Sequence, residues 1–446
     1  MKTTKLPLIY PDAAGIDIGS EMHYVCVPAD RDAQPVRKFG CFTPDLHELA
    51  TWLKNCNIKT VAMESTGVYW IPLFQILEHN GFEVILVNAR HVKNVPGRKT
   101  DVQDCQWLQQ LHGYGLLRGS FRPADEICVL RSYMRQRENL IRSASGHIQR
   151  MQKALVQMNL QLHKVISDVT GTTGIKIIEA IIKGERNPHL LASLKDYRIK
   201  NSEETIAKAL DGDYREEHLF SLKQEFDLYR IYQEKIIECD NQIVQYYKKI
   251  DSKVDKNIQL PENKPEKRPK TQQKFNIQNE LYRITGVDLV KIPGLENITL
   301  QTITSEVGLN MDKWPTEKHF ASWLGLSPAN KITGEKVFST RTRMVVNRAA
   351  TAFRLGAFAA GKSYTALGAY YRRLKSRLGA PKAITATARK LACLFYRAMK
   401  FGNTYVEKGM DYYEKNYQDQ VIKNLSQKAK KLGFVLVKSE ASDGVS

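Results

Sequence analysis

Residues 13–20 read AAGIDIGS, an apolar stretch on which the interpretation of the first part of the chain depends. Its β-rich composition predicts a strand, and HYVCVP at 23–28 predicts a second strand that forms a hairpin with it around Ser20 and Glu21. Asp17 lies in the middle of the first strand, where an ionised carboxylate is costly unless it is paired or bound to a cation. The stretch therefore predicts a sheet that carries one functional charge.

Strand-like and helix-like segments alternate around this hairpin up to residue 122. Thr43 is predicted to cap a helix that has Pro44 in its first turn, and Thr100 is predicted to cap a later one. Between them lie a strand (KTVAME), a helix (YWIPLFQILEH), a break at Asn80-Gly81 and another strand (FEVILVN). This alternation predicts an α/β domain over residues 1–122.

Beyond residue 122 the pattern is mostly helical. Residues 123–250 are expected to form long helices, coiled-coil-like over 202–250, because apolar residues recur there at helical spacing. Three prolines and many charges predict a linker or mobile loop over 251–279. A third, mostly helical unit is expected over 280–405, followed by a tail over 406–446.

The charge and cysteine content of the 446-residue chain narrow the function. A net charge of +20 favours a polyanionic partner, either nucleic acid or an acidic membrane surface. No apolar run approaches the ~18 residues that span a bilayer, so we expect a cytoplasmic protein that binds nucleic acid. The seven cysteines never form a C-x-x-C pair, which argues against a zinc site or a disulfide framework. A bound metal is therefore expected to have oxygen ligands.

Three further carboxylates are candidate partners of Asp17. Glu64 ends a predicted strand, and Asp101 and Asp104 are spaced to share one face of a predicted helix near its first turn. Four carboxylates from three elements would suit Mg²⁺ or Mn²⁺, and two such ions ~4 Å apart can stabilise phosphodiester transfer. Taken singly, Asp101 also fits a favourable charge at a helix N-terminus, and Glu64 fits an exposed strand end.

The contexts of these four residues resemble a known family. GIDIGS, AMESTGVYW and KTDVQD, the last preceded by the basic stretch NARHVKNVPGRK, resemble insertion-sequence transposases with a RuvC-like DEDD domain. The family is IS110 (IS-one-ten), and the branch is the one called IS-eleven-eleven. The resemblance covers nearly the whole chain, because four C-terminal stretches resemble the family's second, transposase domain: PGLENITLQTITSEVG, FASWLGLSP, ITGEKVFSTRTRMVVNRAATAFRLGAF and RLGAPKAITATARKLACLFY.

The resemblance implies a RuvC/RNase H-like fold for the first domain and DNA recombination directed by a structured non-coding guide RNA. It also implies a bacterial or archaeal, nucleoid-associated protein, in which a serine of the C-terminal domain becomes covalently linked to cleaved DNA. Since strand exchange needs at least two active sites, we expect a homodimer that pairs into a tetramer on DNA.

This sequence departs from the family at the expected nucleophile. Where the family carries Ser-Gly, the chain has Thr333-Gly334. A threonine hydroxyl can attack phosphorus, but its extra methyl group restricts χ1 and crowds the approach. Thr333 is the candidate because it aligns, while Ser339 or Ser327 taking the role, an impaired copy, or a turn without chemistry are alternatives.

Two basic stretches are candidate nucleic-acid surfaces. Residues 331–400 contain sixteen Lys or Arg side chains and one acid, Glu335, with Tyr364, Tyr370 and Tyr371 interleaved. Three arginines near Thr333 are expected to clamp the scissile phosphate: Arg341, Arg343 and Arg348. A second set, on the long helix predicted after the first domain, is expected to bind RNA, or alternatively DNA: Arg131, Arg135, Arg137, Arg142, Arg150 and Lys153. The Pro293-Gly294 turn fits a phosphate-binding turn or an ordinary tight turn between helices.

Three other functions compete with recombination. AGIDIGS also resembles the first phosphate loop of the sugar-kinase, actin and heat-shock ATPase fold, which needs a second Asp-Gly loop after another strand. The nearest candidate, SDVTGTTG at 167–174, follows a helical pattern instead. A hydrolytic junction-resolving nuclease would use the carboxylates with water and no covalent step. A non-catalytic nucleic-acid scaffold would not depend on Asp17 at all.

Overall fold

The computed structural model describes residues 7–88, 100–255 and 275–437. The chain divides into two compact units, Met1–Arg122 and Pro123–Ser446. Within the part of the chain that is described, no helix is both long enough and apolar enough to cross a membrane. The α/β class predicted for the beginning of the chain and the helical class predicted for the rest are confirmed.

The first unit is built on one mixed sheet of five strands in the order β3-β2-β1-β4-β5. The strands are β1 (Ala13–Ile18), β2 (Met22–Cys26), β3 (Val36–Gly40), β4 (Thr60–Glu64) and β5 (Glu83–Val87). β1, β2 and β3 are antiparallel, whereas β1, β4 and β5 are parallel. The predicted hairpin is confirmed, since the Gly19 N–H donates to the Met22 carbonyl over 3.1 Å. Strand β3 was not predicted from its short VRKFG run, which lies at the sheet edge.

Among the described residues of the first unit, three helices accompany the sheet: α1 (Thr43–Asn55), α2 (Trp70–His79) and α3 (Asp101–Gly113). Helices α1 and α2 cover one face, where Ile16 of β1 is buried with Leu49 and Leu73. The prediction that Thr43 caps α1 is wrong. Phe42 is the N-cap and Thr43 is the first residue of the helix, and the Phe42 N–H donates over 3.2 Å to the Asp45 carboxylate.

The second unit is almost entirely helical. Its first half contains α4 (Asp125–Gln157), α5 (Leu162–Val165), α6 (Thr172–Ile182), α7 (Pro188–Ser193), α8 (Glu203–Leu210) and α9 (Glu216–Tyr247). Its second half contains α10 (Ile277–Thr285), a 3₁₀ turn (Leu289–Lys291), α11 (Asn297–Val307), α12 (Glu317–Trp323), β6 (Lys331–Thr333), β7 (Lys336–Ser339), α13 (Arg348–Ala360), α14 (Ala366–Leu378), α15 (Ala380–Phe401) and α16 (Asn403–Lys431).

Helices α4 and α9 form a long antiparallel pair. Arg137 of α4 binds the Asp240 carboxylate of α9. Further along α4, His147 Nδ1 lies 2.6 Å from Glu225 Oε2, which is nearer the start of α9. Most of the predicted linker, residues 256–274, lies outside the described residues, and α10 begins before its predicted end. Helix α16 runs through the position at which the tail was predicted to begin.

The turn at Pro293-Gly294 packs directly on α13. Gly294 has φ +85°, and a Cβ there would lie 2.3 Å from the Gly356 carbonyl oxygen and 2.8 Å from the Ala360 Cβ. Only glycine allows both this backbone conformation and this close approach. The packing favours the interpretation of this segment as a tight turn between helices.

Candidate active site

Asp17 and Glu64 lie at the carboxyl ends of two adjacent parallel strands. Ile16 of β1 is paired with Met63 of β4, and both side chains are fully buried on the face that α1 and α2 cover. Because side chains alternate along a strand, the next residue of each strand points to the opposite face. Asp17 and Glu64 are therefore neighbours on that second face.

Helix α3 packs on the same second face and crosses β1 at Gly15. A Cβ on Gly15 would lie 2.3 Å from the Gln109 backbone nitrogen and 2.4 Å from the Cys105 carbonyl oxygen. The Gln109 side chain also donates to the Ala13 carbonyl over 3.3 Å, and Leu108 packs on Ala62 of β4. The glycine thus allows the helix backbone to lie against the strand that carries Asp17.

The first turn of α3 carries Asp101 and Asp104. Its start is the one predicted, because the Thr100 side chain accepts from the Gln103 N–H over 3.3 Å and the Gln103 side chain accepts in return from the Thr100 N–H. This reciprocal capping box orders the helix N-terminus, whose partial positive charge favours carboxylates. Asp101 is exposed and Asp104 is half-buried.

The four carboxylates act on one another electrostatically. Burial, followed by the negative charges of Asp101, Asp104 and Glu64 in that order of importance, raises the pKa of Asp17 to about 6. The Thr66 hydroxyl donates to Glu64 Oε1 over 3.2 Å and so orients that carboxylate. The structure therefore gathers the predicted quartet around Asp17.

The donor chemistry of this quartet suits Mg²⁺ or Mn²⁺, which prefer carboxylate oxygens. A half-buried carboxylate that its neighbours repel is also a group that a divalent cation would stabilise. Among residues 7–88, 100–255 and 275–437, no group of three or more His, Cys, Asp or Glu side chains is arranged so that it could hold a metal ion. The four side chains are thus within electrostatic reach but not in a common coordination shell. The basic stretch that precedes Asp101, residues 89–99, lies outside the described residues.

Thr333 lies at the end of a two-stranded hairpin in the second unit. It pairs with Lys336, and the turn between them is Gly334 and Glu335, both with positive φ, at 51° and 62°. Two positive φ values are typical of the tight turns that match the twist of a hairpin. The Thr333 side chain is exposed. Of the alternatives, Ser339 Oγ accepts from the Arg341 N–H over 3.3 Å, and Ser327 Oγ is buried with no hydrogen-bond partner in the described structure.

Comparison with known families decides the identity of the chain. Residues 14–160 match the transposase model DEDD_Tnp_IS110, and residues 288–372 match the model described as "Transposase IS116/IS110/IS902 family". The chain belongs to the IS110 family of insertion-sequence transposases. No curated protein matches it. The predicted family is confirmed, and the mixed sheet of the transposase is consistent with a DEDD nuclease fold.

The three arginines predicted to flank the nucleophile of the transposase have different surroundings. Arg341 is exposed. Arg343 donates to the Ser322 carbonyl, and Arg348, at the start of α13, pairs with Glu138 of α4. Arg341 is therefore the one of the three for which the structure records no side-chain partner within its described residues.

The arginines predicted along α4 differ in the same way. Arg135 makes a two-point bond to the Glu306 carboxylate over 2.9 and 2.8 Å, and Arg131 donates to the Glu306 carbonyl over 2.6 Å. Glu306 is only 8% exposed, so it holds both guanidinium groups against α11. Arg142 is 71% exposed, and the ion pair recorded for it among the described residues is the i,i+4 contact with Glu138. The structure thus binds Arg131 and Arg135 to Glu306, with the Arg135 side chain still 45% exposed, and leaves Arg142 at the surface.

One group of side chains was not predicted as a site. In the sequence Tyr370 is only an aromatic residue within a basic stretch, whereas in the structure it lines two cavities beside α14 and α15. The signal in the sequence was the interleaving of tyrosines with cations. Their convergence requires two helices to be packed together.

Proposed function

We propose that this transposase cuts and rejoins DNA by metal-assisted phosphodiester transfer, with Mg²⁺ or Mn²⁺ held by Asp17, Glu64, Asp101 and Asp104. The observation that supports the proposal is the gathering of three carboxylates around Asp17 from β4 and α3. A structural role does not account for four acids that repel one another. Divalent ions held by these four residues would stabilise the attacking and leaving oxygens of the phosphodiester.

Other parts of the first unit hold the four carboxylates in position. Asp17 is held rigidly by the centre of the sheet, and the Thr66 hydroxyl orients Glu64. The capping box at Thr100 fixes the helix turn from which Asp101 and Asp104 project. All four proposed ligands project from strands or helices, and side chains on such elements are placed more precisely than side chains on loops.

The hydroxyl of Thr333 is the proposed nucleophile. Its oxygen forms a bond to phosphorus as the bridging phosphorus–oxygen bond of the DNA strand breaks. The threonine proton goes to solvent, and the leaving sugar oxygen takes up a proton. Exposure of Thr333 at the end of the hairpin supports access to DNA, and the covalent link would conserve the bond energy for rejoining.

We also propose that a structured non-coding RNA directs the choice of DNA, and that a homodimer pairs into a tetramer on it. The guide RNA follows from the family resemblance, and the assembly follows from the need of strand exchange for at least two active sites. Purification from the native host, with sequencing of co-purifying RNA and size measurement with and without nucleic acid, tests them. If protein without RNA recombines DNA with full selectivity, the proposal of a guide RNA is wrong.

The carboxylates are tested with matched amide variants. Asp17→Asn and Glu64→Gln are expected to lower strand cleavage by at least a hundredfold while the fold is retained. Glu48→Gln, which changes an exposed acid of α1 in the same unit, is the control and is expected to retain activity. Cleavage by Asp17→Asn at the parental rate would contradict the proposed metal site and favour a non-catalytic scaffold.

The nucleophile is tested by trapping the protein–DNA adduct under denaturing conditions. Thr333→Ala is expected to abolish the adduct, and Thr333→Ser is expected to restore or increase it, since it removes only the methyl group. Ser327→Ala and Ser339→Ala serve as comparison variants. Cleavage without any adduct in the parent protein would instead indicate a hydrolytic, resolvase-like nuclease.

A further inference from the structure

A row of four side chains crosses the sheet of the first unit at the level of Asp17. Asp17 of β1 is paired with Tyr24 of β2, and Tyr24 is paired in turn with Lys38 of β3. On the other side of Asp17 lies Glu64 of β4, one residue beyond the last paired positions of these two parallel strands. Because paired residues of neighbouring strands project from the same face, the order across this face is Lys38, Tyr24, Asp17 and Glu64.

The neighbours of Lys38 on β3 show which face it belongs to. The Arg37 guanidinium carbon lies 5.0 Å from the centroid of the Trp52 ring of α1, and the Phe39 ring centroid lies 5.5 Å from it. Both side chains are therefore on the face that α1 covers. Lys38 lies between them in the strand, so its side chain points to the opposite face, which carries the carboxylates.

Tyr24 and Lys38 are polar groups without an internal role that accounts for them. The Tyr24 side chain is half-buried and the Lys38 side chain is exposed. Within residues 7–88, 100–255 and 275–437, the structure shows no hydrogen bond of the Tyr24 hydroxyl and no ion pair of the Lys38 ammonium. A hydroxyl donor and a cation beside the carboxylates are thus available to a ligand.

The order of the row suits a polyanionic strand. Neighbouring strands of a sheet lie about 4.8 Å apart, so the Lys38 backbone is roughly 10 Å from that of Asp17. A phosphodiester at the carboxylates is then next to Tyr24, whereas Lys38 is closer to the following phosphate of the same strand. Four carboxylates repel a nucleic-acid backbone, and a cation in line with them supplies attraction on one side.

We propose that Tyr24 and Lys38 bind the DNA strand that is cut, on the side of Asp17 away from β4. The Tyr24 hydroxyl donates to a non-bridging oxygen of the scissile phosphate, and the Lys38 ammonium binds the adjacent phosphate. Both side chains hold the strand, and neither forms or breaks a bond. The inference rests on the proposed cleavage at the four carboxylates and adds the direction in which the strand crosses the sheet.

The test measures DNA binding by the full-length protein, purified from the native host with any nucleic acid that it retains. The probe is a DNA duplex that carries one end of its own element, and the Asp17→Asn background is used so that the probe is not cut. Adding Lys38→Gln is expected to raise the Kd about tenfold and to reduce the slope of log affinity against log salt by about one. Adding Tyr24→Phe is expected to raise the Kd about tenfold without changing that slope, because the lost hydroxyl is neutral.

Lys54→Gln is the matched control, because it removes the same charge from α1 on the opposite face of the sheet, where Lys54 contacts the Asn80 side chain. It is expected to leave the Kd and the salt slope unchanged. If Lys38→Gln gives the same Kd and slope as Lys54→Gln, the contact of Lys38 with DNA is rejected. If Tyr24→Phe binds as tightly as its parent, the contact of Tyr24 is rejected.

A second measurement locates the phosphate that Lys38 binds. Single methylphosphonates, each of which removes the charge of one phosphate, are placed in turn on either side of the cut. At the phosphate next to the scissile one, the substitution is expected to weaken binding by the parent and to have little further effect on Lys38→Gln, since the two changes remove the same contact. Equal effects in both proteins at every position would overturn the proposal.

Failure of this inference can be separated from failure of the proposed function by measuring cleavage in the proteins that retain Asp17. Lys38→Gln and Tyr24→Phe are expected to lower kcat/KM, with the effect of Lys38→Gln mainly on KM. If Asp17→Asn stops cleavage while both of these variants bind and cut like the parent, the catalytic proposal stands and the strand path is rejected. If Asp17→Asn cuts at the parental rate, the metal site is rejected and this inference with it.

Discussion

At the scale of single residues, His112 shows how burial sets chemistry in the first unit. The side chain is 3% exposed, its Nε2 lies 2.9 Å from the Thr60 hydroxyl, and its ring stacks on Tyr10. Burial lowers its pKa from 6.5 to about 4. The folded protein therefore keeps this imidazole neutral at a pH where the unfolded chain is already protonated.

This difference predicts acid sensitivity. Between pH 6.5 and about 4 the unfolded state binds the extra proton, so the free energy of unfolding decreases as the pH falls through this window, by about 3 kcal/mol. Denaturant unfolding of the full chain at several pH values measures it. His112→Gln is expected to make the free energy of unfolding less dependent on pH. A smaller decrease of the same sign remains from His23, because burial lowers the pKa of that side chain too. The exposed His79→Gln is the control, and an equally steep curve for His112→Gln would be the contrary result.

At the scale of elements, the contact of α3 with β1 determines where two of the four carboxylates lie. Gly15 is the closest point of this contact. Gly15→Ala places a Cβ within 2.4 Å of helix backbone atoms, and backbone cannot move aside as a side chain end can. We expect a loss of about 1–3 kcal/mol in the free energy of unfolding and a larger loss of cleavage than of stability, because Asp101 and Asp104 move with the helix.

Gly119→Ala is the matched control for that prediction. A Cβ there meets the Ile85 Cβ at 3.6 Å, an ordinary contact. Denaturant unfolding and a cleavage assay measure both variants. Full stability and activity in Gly15→Ala would show that α3 does not need to lie this close.

Helix α4 offers a second test, because two of its arginines differ in partner. Arg135→Gln is expected to lower the free energy of unfolding by about 1–2 kcal/mol, since it leaves buried Glu306 with one fewer charged partner. Arg142→Gln is expected to leave stability unchanged and to weaken nucleic-acid binding. Denaturant unfolding and RNA and DNA titrations separate the two outcomes. If Arg135→Gln instead weakens nucleic-acid binding and leaves stability unchanged, Arg135 contacts nucleic acid and the prediction is wrong.

At the scale of the whole molecule, the net charge of +20 predicts binding that depends strongly on salt. Each neutralised phosphate adds about 0.9 to the slope of log affinity against log salt. Arg341→Gln is expected to reduce that slope by about one, because its exposed side chain is free to meet a phosphate. Affinity measurements at several salt concentrations test this, and Glu48→Gln provides a control that changes charge without removing a cation. An unchanged slope in Arg341→Gln would place this arginine outside the interface.

The sequence by itself determined the features that depend on local pattern and composition. These are the β1–β2 hairpin, the capping of α3 by Thr100, the family and the excess of positive charge. The carboxylates of β1, β4 and α3 could also be named, because an aspartate inside an apolar strand needs a compensating partner. Strands repeat every two residues and helices every 3.6, so both patterns involve residues that are close together in the sequence. They can therefore be recognised from the sequence alone.

Only the tertiary structure decided which side chains meet across long separations. The Glu306 carboxylate binds Arg135, which lies 171 residues away in the sequence. No local pattern distinguishes that arginine from Arg142, which has no such distant partner recorded among the described residues. The face on which α3 lies, the edge strand β3, and the cavities beside Tyr370 likewise depend on how elements pack. The physical reason is that burial and the pairing of charges are set by contacts between distant segments, whereas periodicity and composition are set along the chain.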